Sequence, residues 1–564
     1  MVELRGVTFA GILLSLLFVG DRLPGLFARE TRSAQTTDIA AMVRAIVDIG
    51  HGSPVGSRTL AEQQRLTALY GPESYIPLWV DGAGRASRDA REALALLKGA
   101  TSEGLDPRDY DAAALQEFTA RPSGADAPGV SDIARFDVAM SVNTLRYFQH
   151  LHFGRVDPGA VGFRMPSREH EDLAERLRAA LAAHSIAAAA AELSPSIALY
   201  WRLRTALRRY RALEMDPALW KFQPPHATVH PGERCDELPQ LSRLLVALGD
   251  LPDIDPDRVE LQTYEGRLVD GVKHFQLRHG LEPDGVLGKS TRAALSVPLS
   301  WRARQIELGL ERLRWLPHLD PDRFLAVNIP MFRVWGIEGR PEGPAPSFGS
   351  DVIVGRALNT QTPVLVEQME YVIFRPFWNV PSSILRHEIL PAVSRTPDYL
   401  QRHGMEIVSG QADDAPIQPI TAANLERLRR GTLRVRQRPG PNNSLGLVKF
   451  VFPNDVNVYM HGTPAPELFN RARRDFSHGC IRIADPVGLA AWVLAEQANW
   501  TPDRILMAMN AKESMRVNLA RPIQVIVFYL TAIVMPEDNA VHFAEDIYGH
   551  DARLEQYLTR RKVS

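Results

Sequence analysis

Two residues of this 564-residue chain have the types and the spacing for acyl transfer. Cys480 stands nineteen residues after His461. A thiol attacks a carbonyl as the thiolate, and a nearby imidazole can take its proton. His461 opens the run His461-Gly462-Thr463-Pro464, and Cys480 lies in Ser477-His478-Gly479-Cys480-Ile481-Arg482. Two histidines compete for the role of base. His461 ends an expected strand, Val456–Met460, and so projects from a rigid element. His478 is two residues from Cys480; an extended chain would point both the same way, but a tight turn at Gly479 need not. Local geometry therefore leans toward His461 and leaves His478 open. Gly479 permits close backbone approach, so the N–H groups of Gly479 and Cys480 are candidates for an oxyanion hole. Ser477 and His478 would support that loop. Arg482 would hold it or meet a substrate carboxylate, and a bracing salt bridge is the plainer reading of both Arg482 and Arg474.

These residues must be positioned by a protein of several domains, since one core of about 150 residues is the usual size. Composition is that of a globular protein, 45% apolar and 23% charged. The net charge of −1 gives no general case for nucleic-acid binding. No zinc-type His/Cys cluster accompanies the Cys-His pair, and neither metal nor cofactor is expected. The other cysteine, Cys235, sits in the polar stretch Pro231–Asp236 and reads as an incidental thiol. A disulfide to Cys480 would consume the candidate nucleophile.

The amino terminus reads as an export signal. Arg5 precedes an uncharged run, Val7–Val19, followed by Asp21 and Arg22. A run of this length suits a signal-peptide core, whereas a membrane span needs about 20 residues. Cleavage after Ala28 would put Leu26 where a small residue is preferred. Residues 1–28 are thus a cleaved signal or a short anchor, and 29–59 a linker with one short helix.

Residues 60–235 carry helical periodicity: Arg88–Lys98, an Ala-rich Leu173–Leu193, and Tyr200–Leu213. Three shorter helices follow in 236–298 (Pro239–Leu248, Val269–His279, Ser290–Leu295), with the turn-rich Gly280–Gly288 between the last two. A connecting helix, Arg302–Trp315, fills most of 299–322. From 323 to 536 the period becomes that of strands: Phe324–Ile329, Asp351–Val354, Tyr371–Phe374, Val448–Phe452, Val456–Met460 and Ile523–Val534. Short strands with Gly/Pro turns predict a β-sandwich or barrel-like domain. The strand pattern lapses at about 382–440, where Ile384–Leu390 reads as a helix capped by Ser382 or Ser383 and stopped by Pro391. That stretch reads as a helical insertion placed to act as a lid, and 537–564 as a C-terminal extension.

The His461/Cys480 frame resembles the active site of L,D-transpeptidases with the YkuD-type fold, in particular the large Gram-negative subclass. The likeness extends to Asn359–Pro363, FRPFWNVPSSI (374–384), RQRPGPNNSLGLVKFVFPN (436–454), FYLTAIV (528–534) and FAEDIYGHD (543–551). IPLWVD (76–81) and LHFGRVDP (151–158) resemble the scaffold domain of that subclass, and VKHFQLRHGLEPDGVLGKSTRAAL (272–295) its small peptidoglycan-binding module. RQIELGLERLRWLP (304–317) resembles the segment that joins the module to the catalytic domain. The resemblance implies a multidomain α+β protein: helical scaffold, three-helix module, and β-sandwich-like catalytic domain with an inserted helical lid.

By the same resemblance Cys480 is the nucleophile, His461 the general acid and base, and the Gly462 carbonyl orients the His461 ring. Trp378 and Asn379 would line the donor cleft, while Asn443 and Gly446 fix a turn. The implied reaction joins peptidoglycan tetrapeptide stems, as donor and acceptor, into 3-3 cross-links through a Cys480 thioester in the periplasm. A carbapenem is expected to acylate Cys480, and residues 7–19 would hold the chain at the inner membrane if uncleaved. The alternatives at the same site are an L,D-carboxypeptidase, or a transferase using a D-amino acid or a lipoprotein lysine. The alternative of another class is a non-catalytic peptidoglycan-binding scaffold.

Overall fold

The computed structural model describes residues 24–48, 60–120, 128–166, 168, 170–220, 222–252, 262–317, 319, 322–339, 345–358, 360–410, 412, 414–535 and 538–560. The Val7–Val19 run and Asn359 lie outside the described residues. Among the described residues, no helix is long and apolar enough to cross a membrane. The chain divides into two compact units.

The first unit comprises residues 1–99, 107–148 and 172–191 and is helical where described. Its organising feature is a buried carboxylate. Asp137 accepts from the Tyr70 hydroxyl at 2.6 Å and from the Trp79 amide at 2.7 Å, and the Trp79 indole donates to Ser141 at 2.8 Å. Burial raises the Asp137 carboxyl to about 6 despite these donors. Part of the stretch read as a linker is a helix, Pro24–Asp48, because Ile39, Val43, Ile46 and Val47 recur at helical spacing and are buried. The Ala-rich stretch forms two helices, Leu173–Ala182 and Ile186–Leu193, not one. The break is at His184, whose left-handed backbone (φ 51°) lets Ser185 N–H close back on the Ala180 carbonyl.

The second unit contains the small module, the connecting helix and the strand-rich domain. The module's helices Leu238–Leu248, Arg267–Arg278 and Lys289–Leu295 enclose an apolar core that includes Leu241, Val272 and Phe275. Its Asp284-Gly285 turn is held by the Gln276 amide, which donates to Asp284 and accepts from the Gly285 N–H, both at 2.8 Å. The connecting helix is Leu299–Leu313 and is buried almost all round. Arg312 within it meets Asp551 at 2.5 Å, and Arg314 just after it donates to the Tyr200 hydroxyl at 2.9 Å.

The strands are β1 (Arg323–Asn328), β2 (Arg333–Glu338), β3 (Ala345–Gly355), β4 (Leu365–Phe374), β5 (Trp378–Asn379), β6 (Met405–Val408), β7 (Ile417–Gln418), β8 (Arg434–Gln437), β9 (Val448–Val451), β10 (Met460–His461), β11 (Asp475–Ser477), β12 (Ile481–Ile483), β13 (Met515–Phe528), β14 (Ala532–Val534) and β15 (Val541–Phe543). The main sheet runs β11-β3-β12-β10-β9-β4-β13-β1-β2, and β2 also pairs with β3. That second pairing closes eight strands into a ring, with β3 as the seam and β11 appended. Closure leaves the ring no free edge. Its interior holds Val327, Val352, Val372, Phe450, Met460 and Ile481, all fully buried.

Several element boundaries differ from those read in the sequence. Ile523–Val534 is not one strand: β13 ends at Phe528 and β14 begins at Ala532, and an apolar run alone does not show the turn between them. Val456–Met460 is mostly loop, because Asn457 takes a left-handed conformation (φ 55°) and only Met460–His461 joins the sheet. The insertion carries β5 to β8 as a four-stranded sheet beside its helices, with its own core around Leu400, Ile407 and Val435. Pro391 does not stop its helix, and neither Ser382 nor Ser383 is the N-cap, which is Pro381. A π-helical turn, Leu385–Ile389, lies between Ser382–Ile384 and Leu390–Arg395, so Pro391 falls in a new first turn where its missing N–H costs little.

Candidate active site

Alternation along β9, β10 and β12 sorts the site from the core. Phe450, Met460 and Ile481 point into the ring. Their neighbours Lys449, His461 and Arg482 therefore share the opposite face, and they stand in one row: Lys449 pairs with His461, and His461 with Arg482. Cys480 precedes β12 by one residue, two before Arg482, and Tyr459 is two before His461. The Ile481 N–H donates to the Tyr459 carbonyl at 3.0 Å, which carries the parallel register back to these positions. Cys480, His461, Tyr459, Lys449 and Arg482 thus gather on one face.

The His461 ring is buried, and its Nδ1 lies 2.6 Å from the Gly462 carbonyl oxygen. That contact makes Nδ1 the protonated nitrogen and leaves the lone pair on Nε2. Burial, reinforced by Arg482 and Lys449, pushes the imidazole down to about 3. Burial pushes the Cys480 thiol up, with Tyr459, Lys449 and Arg482 pulling the other way. Both groups are therefore uncharged at rest, a thiol and a neutral imidazole on the same face. Cys480 Sγ lies 3.8 Å from the Asn457 carbonyl oxygen, a long contact typical of sulfur.

His478 goes elsewhere. Gly479 takes φ +110°, which breaks the extended run, and His478 Nε2 meets Glu388 Oε1 of the insertion's π-helical turn at 2.6 Å. Of the two histidines, His461 is the one that shares the sheet face with Cys480. Ser477 is buried and donates from Oγ to the Cys480 carbonyl at 2.5 Å, a loop brace. The Gly479 N–H donates to the same Oγ at 3.1 Å, so it is spent within the loop and does not face an oxyanion as expected. The role of Gly479 is its backbone angle.

Arg474 braces the loop, with Asp351 at 3.1 Å and the Phe332 carbonyl at 3.3 Å. Arg482 differs: its Nε is buried with no hydrogen-bond partner, and no carboxylate pairs with it among the described residues. Arg356 adds a second positive charge nearby. Trp378, half-buried in β5, lies near the Tyr459 side chain, while Asn379 is exposed and pairs with Arg436 in the insertion's sheet. Asn443 is buried and fixes its turn, donating to the Arg438 carbonyl at 3.0 Å and accepting from Leu445 at 2.8 Å. Gly446 lies so close to the Gly462-Thr463 backbone that a Cβ would fall 2.6 Å from the Thr463 nitrogen.

Sequence reasoning missed Tyr459 and Lys449. Tyr459 lies close enough to the Cys480 thiol to favour its ionisation and itself stays protonated through burial, and Lys449 Nζ sits 3.8 Å above the Tyr459 ring. The sequence offers only a partial signal, for Tyr459 alone, two residues before His461 and so at the spacing of one strand face. Cys235 is the contrasting thiol, buried in the module core beside Glu237 and pushed up to about 11.

Three family models match the chain. Residues 64–207 match a scaffold domain, 236–295 a domain described as "Putative peptidoglycan binding domain", and 322–517 the L,D-transpeptidase catalytic domain. A protein of Haemophilus influenzae described as "Putative L,D-transpeptidase" is 29% identical over 251 residues, 44% of this chain. The match spans about half of that relative's length (49%). Residues 322–517 accordingly belong to the YkuD family of L,D-transpeptidase catalytic domains, preceded in the same chain by a scaffold domain and a domain of the peptidoglycan-binding family.

Proposed function

We propose that this protein is an L,D-transpeptidase that forms 3-3 cross-links in peptidoglycan through a thioester on Cys480. The observation that carries the reading is the single face holding Cys480, the neutral His461 with Nδ1 on Gly462, and the unpaired Arg482. The Cys480 proton passes to His461 Nε2 as sulfur attacks the carbonyl of the third stem residue, a meso-diaminopimelate. The tetrahedral intermediate collapses, and His461 returns the proton to the departing D-alanine amine. The side-chain amine of a second stem then attacks the thioester, giving up its proton to His461, and the thiol is released. Both stems are anionic. Arg482 and Arg356 supply positive charge where a stem carboxylate would lie, and a guanidinium can take a carboxylate by two parallel hydrogen bonds.

The peptidoglycan-binding-type domain suits a polymeric substrate, and the Val7–Val19 run suits export to the periplasm, with retention at the inner membrane if it is not cleaved. A β-lactam of the carbapenem class should acylate the same sulfur.

The test is product analysis. Purified protein is incubated with tetrapeptide muropeptides, and the products are identified by mass spectrometry. Dimers with a 3-3 linkage that disappear in Cys480→Ala support the proposal. Tripeptide monomers alone would replace it with an L,D-carboxypeptidase, and the absence of any Cys480-dependent product would overturn both.

A further inference from the structure

The loop that carries Cys480 has its carbonyls tied down one after another. Ser477 C=O accepts from the Arg356 N–H at 3.0 Å, Gly479 C=O from Thr362 Oγ1 at 2.9 Å, and Cys480 C=O from Ser477 Oγ at 2.5 Å. The middle bond has a consequence for catalysis. Gly479 C=O and Cys480 N–H belong to one trans peptide plane, so they point in opposite directions. Holding the Gly479 oxygen inward on Thr362 turns the Cys480 N–H outward, to the side opposite the buried threonine. With the Gly479 N–H spent on Ser477, that amide is the loop's donor for a developing oxyanion.

Thr362 is itself clamped. Its Oγ1 accepts from the Gly355 N–H at 2.8 Å while donating to Gly479, and its own N–H donates to the Tyr548 hydroxyl at 3.2 Å. Tyr548 Oη in turn donates to the Gly355 carbonyl at 2.6 Å. Gly355 must be glycine here, because a Cβ would stand 1.9 Å from the Thr360 oxygen. The tyrosine is anchored in its turn: its N–H donates to Tyr529 Oη at 3.0 Å, and Tyr529 donates to Asp546 at 2.7 Å. The chain of bonds thus runs from the C-terminal segment to the nucleophile's own peptide. Thr362 is fully buried, so each of these bonds is made where an unpaired partner is costly.

We propose that Thr362, clamped by Tyr548, is a positioning residue that sets the Cys480 peptide plane and so aims the oxyanion-hole amide. The proposal rests on the acyl-transfer reading above. It predicts a specific split. Acyl transfer builds a negative oxygen and needs the amide; alkylation of the same sulfur by iodoacetamide builds none. Thr362→Val keeps the shape and removes both hydroxyl bonds.

The experiment measures release of D-alanine from tetrapeptide stems and iodoacetamide labelling of Cys480 in wild type, Thr362→Val, Thr362→Ser and Tyr548→Phe. Thr362→Val should lower kcat by about 10-fold or more with KM little changed, since oxyanion donors act in the transition state. Its labelling rate should stay within about twofold, Thr362→Ser should recover most of kcat, and Tyr548→Phe should lower it less. Unchanged kcat in Thr362→Val, or a parallel fall in labelling, overturns the positioning role. Should Thr362→Val not fold, the same split in Tyr548→Phe decides, and equal loss in both readouts there overturns it. A wild type with no Cys480-dependent release overturns the acyl-transfer reading itself, a result distinct from the others.

Discussion

The two thiols of this chain sit in different regions, and their surroundings act on them in opposite ways. Cys235 lies in the core of the small helical module, with a carboxylate, Glu237, 3.0 Å from its sulfur. Cys480 lies one residue before β12, on the outer face of the closed sheet. Burial raises both thiols. The neighbours differ in sign: Glu237 and Asp236 oppose ionisation at Cys235, while Tyr459, Lys449 and Arg482 favour it at Cys480. The sheet provides this by register, since residues directly opposite one another on adjacent strands share a face. A three-helix module has no comparable row of aligned cations at its cysteine. Burial alone would leave either thiol inert, and charge placed by strand pairing separates them.

The largest test of that contrast removes each thiol in turn. Cys480→Ala should reduce acyl transfer to background, a loss of about 10⁶-fold by analogy with other covalent nucleophiles, while Cys235→Ala leaves it unchanged. A smaller effect is expected at the bases. His461→Ala should cost about 10²–10⁴-fold in kcat, and His478→Ala far less, because His478 is turned to Glu388 and not to the sulfur. Equal losses at the two histidines would mean that the sheet face is not the working arrangement.

Labelling by iodoacetamide against pH sharpens the contrast further. The thiolate fraction grows as pH rises through the thiol pKa. Labelling of Cys480 should therefore climb above pH 9.0, the ordinary thiol value, while Cys235 titrates at about 11. Lys449→Ala should move the Cys480 profile to still higher pH, since that cation favours the thiolate; a shift to lower pH would contradict the charge assignment. The smallest effect is expected at the insertion. The His478–Glu388 pair is partly exposed, so Glu388→Gln should change stability by no more than ~1 kcal/mol in a thermal melt.

The same two regions differ in how much of them the sequence reveals. The module's three helices were legible to within a few residues, because helical spacing is local. The candidate site was legible as the pair His461 and Cys480, because SHGCIR and HGTP are contiguous strings. Tyr459 and Lys449 were not, since their contribution depends on which strands pair and in what register. Thr362 and Tyr548 lie more than a hundred and nearly seventy residues from Cys480 in opposite directions along the chain, and only closure of the fold brings them to its loop. The Gly479 amide was assigned to the oxyanion because glycine admits close approach; the Ser477 hydroxyl beside it claims the N–H first. In the insertion, Pro391 read as a stop because a proline inside a helix normally breaks it. The π-helical turn before it resets the hydrogen bonding, and no residue pattern signals that reset.

The most direct measurement of the central claim is to catch the acyl group on its sulfur. The full chain is mixed with tetrapeptide stems, quenched in acid within the first turnover, digested, and mapped by mass spectrometry. The account predicts a tripeptide-stem adduct on Cys480, labile to hydroxylamine, accumulating in His461→Ala far more slowly than in wild type and never on Cys235. An adduct on Cys235, or Cys480-dependent products that form at wild-type rate in His461→Ala, would contradict it.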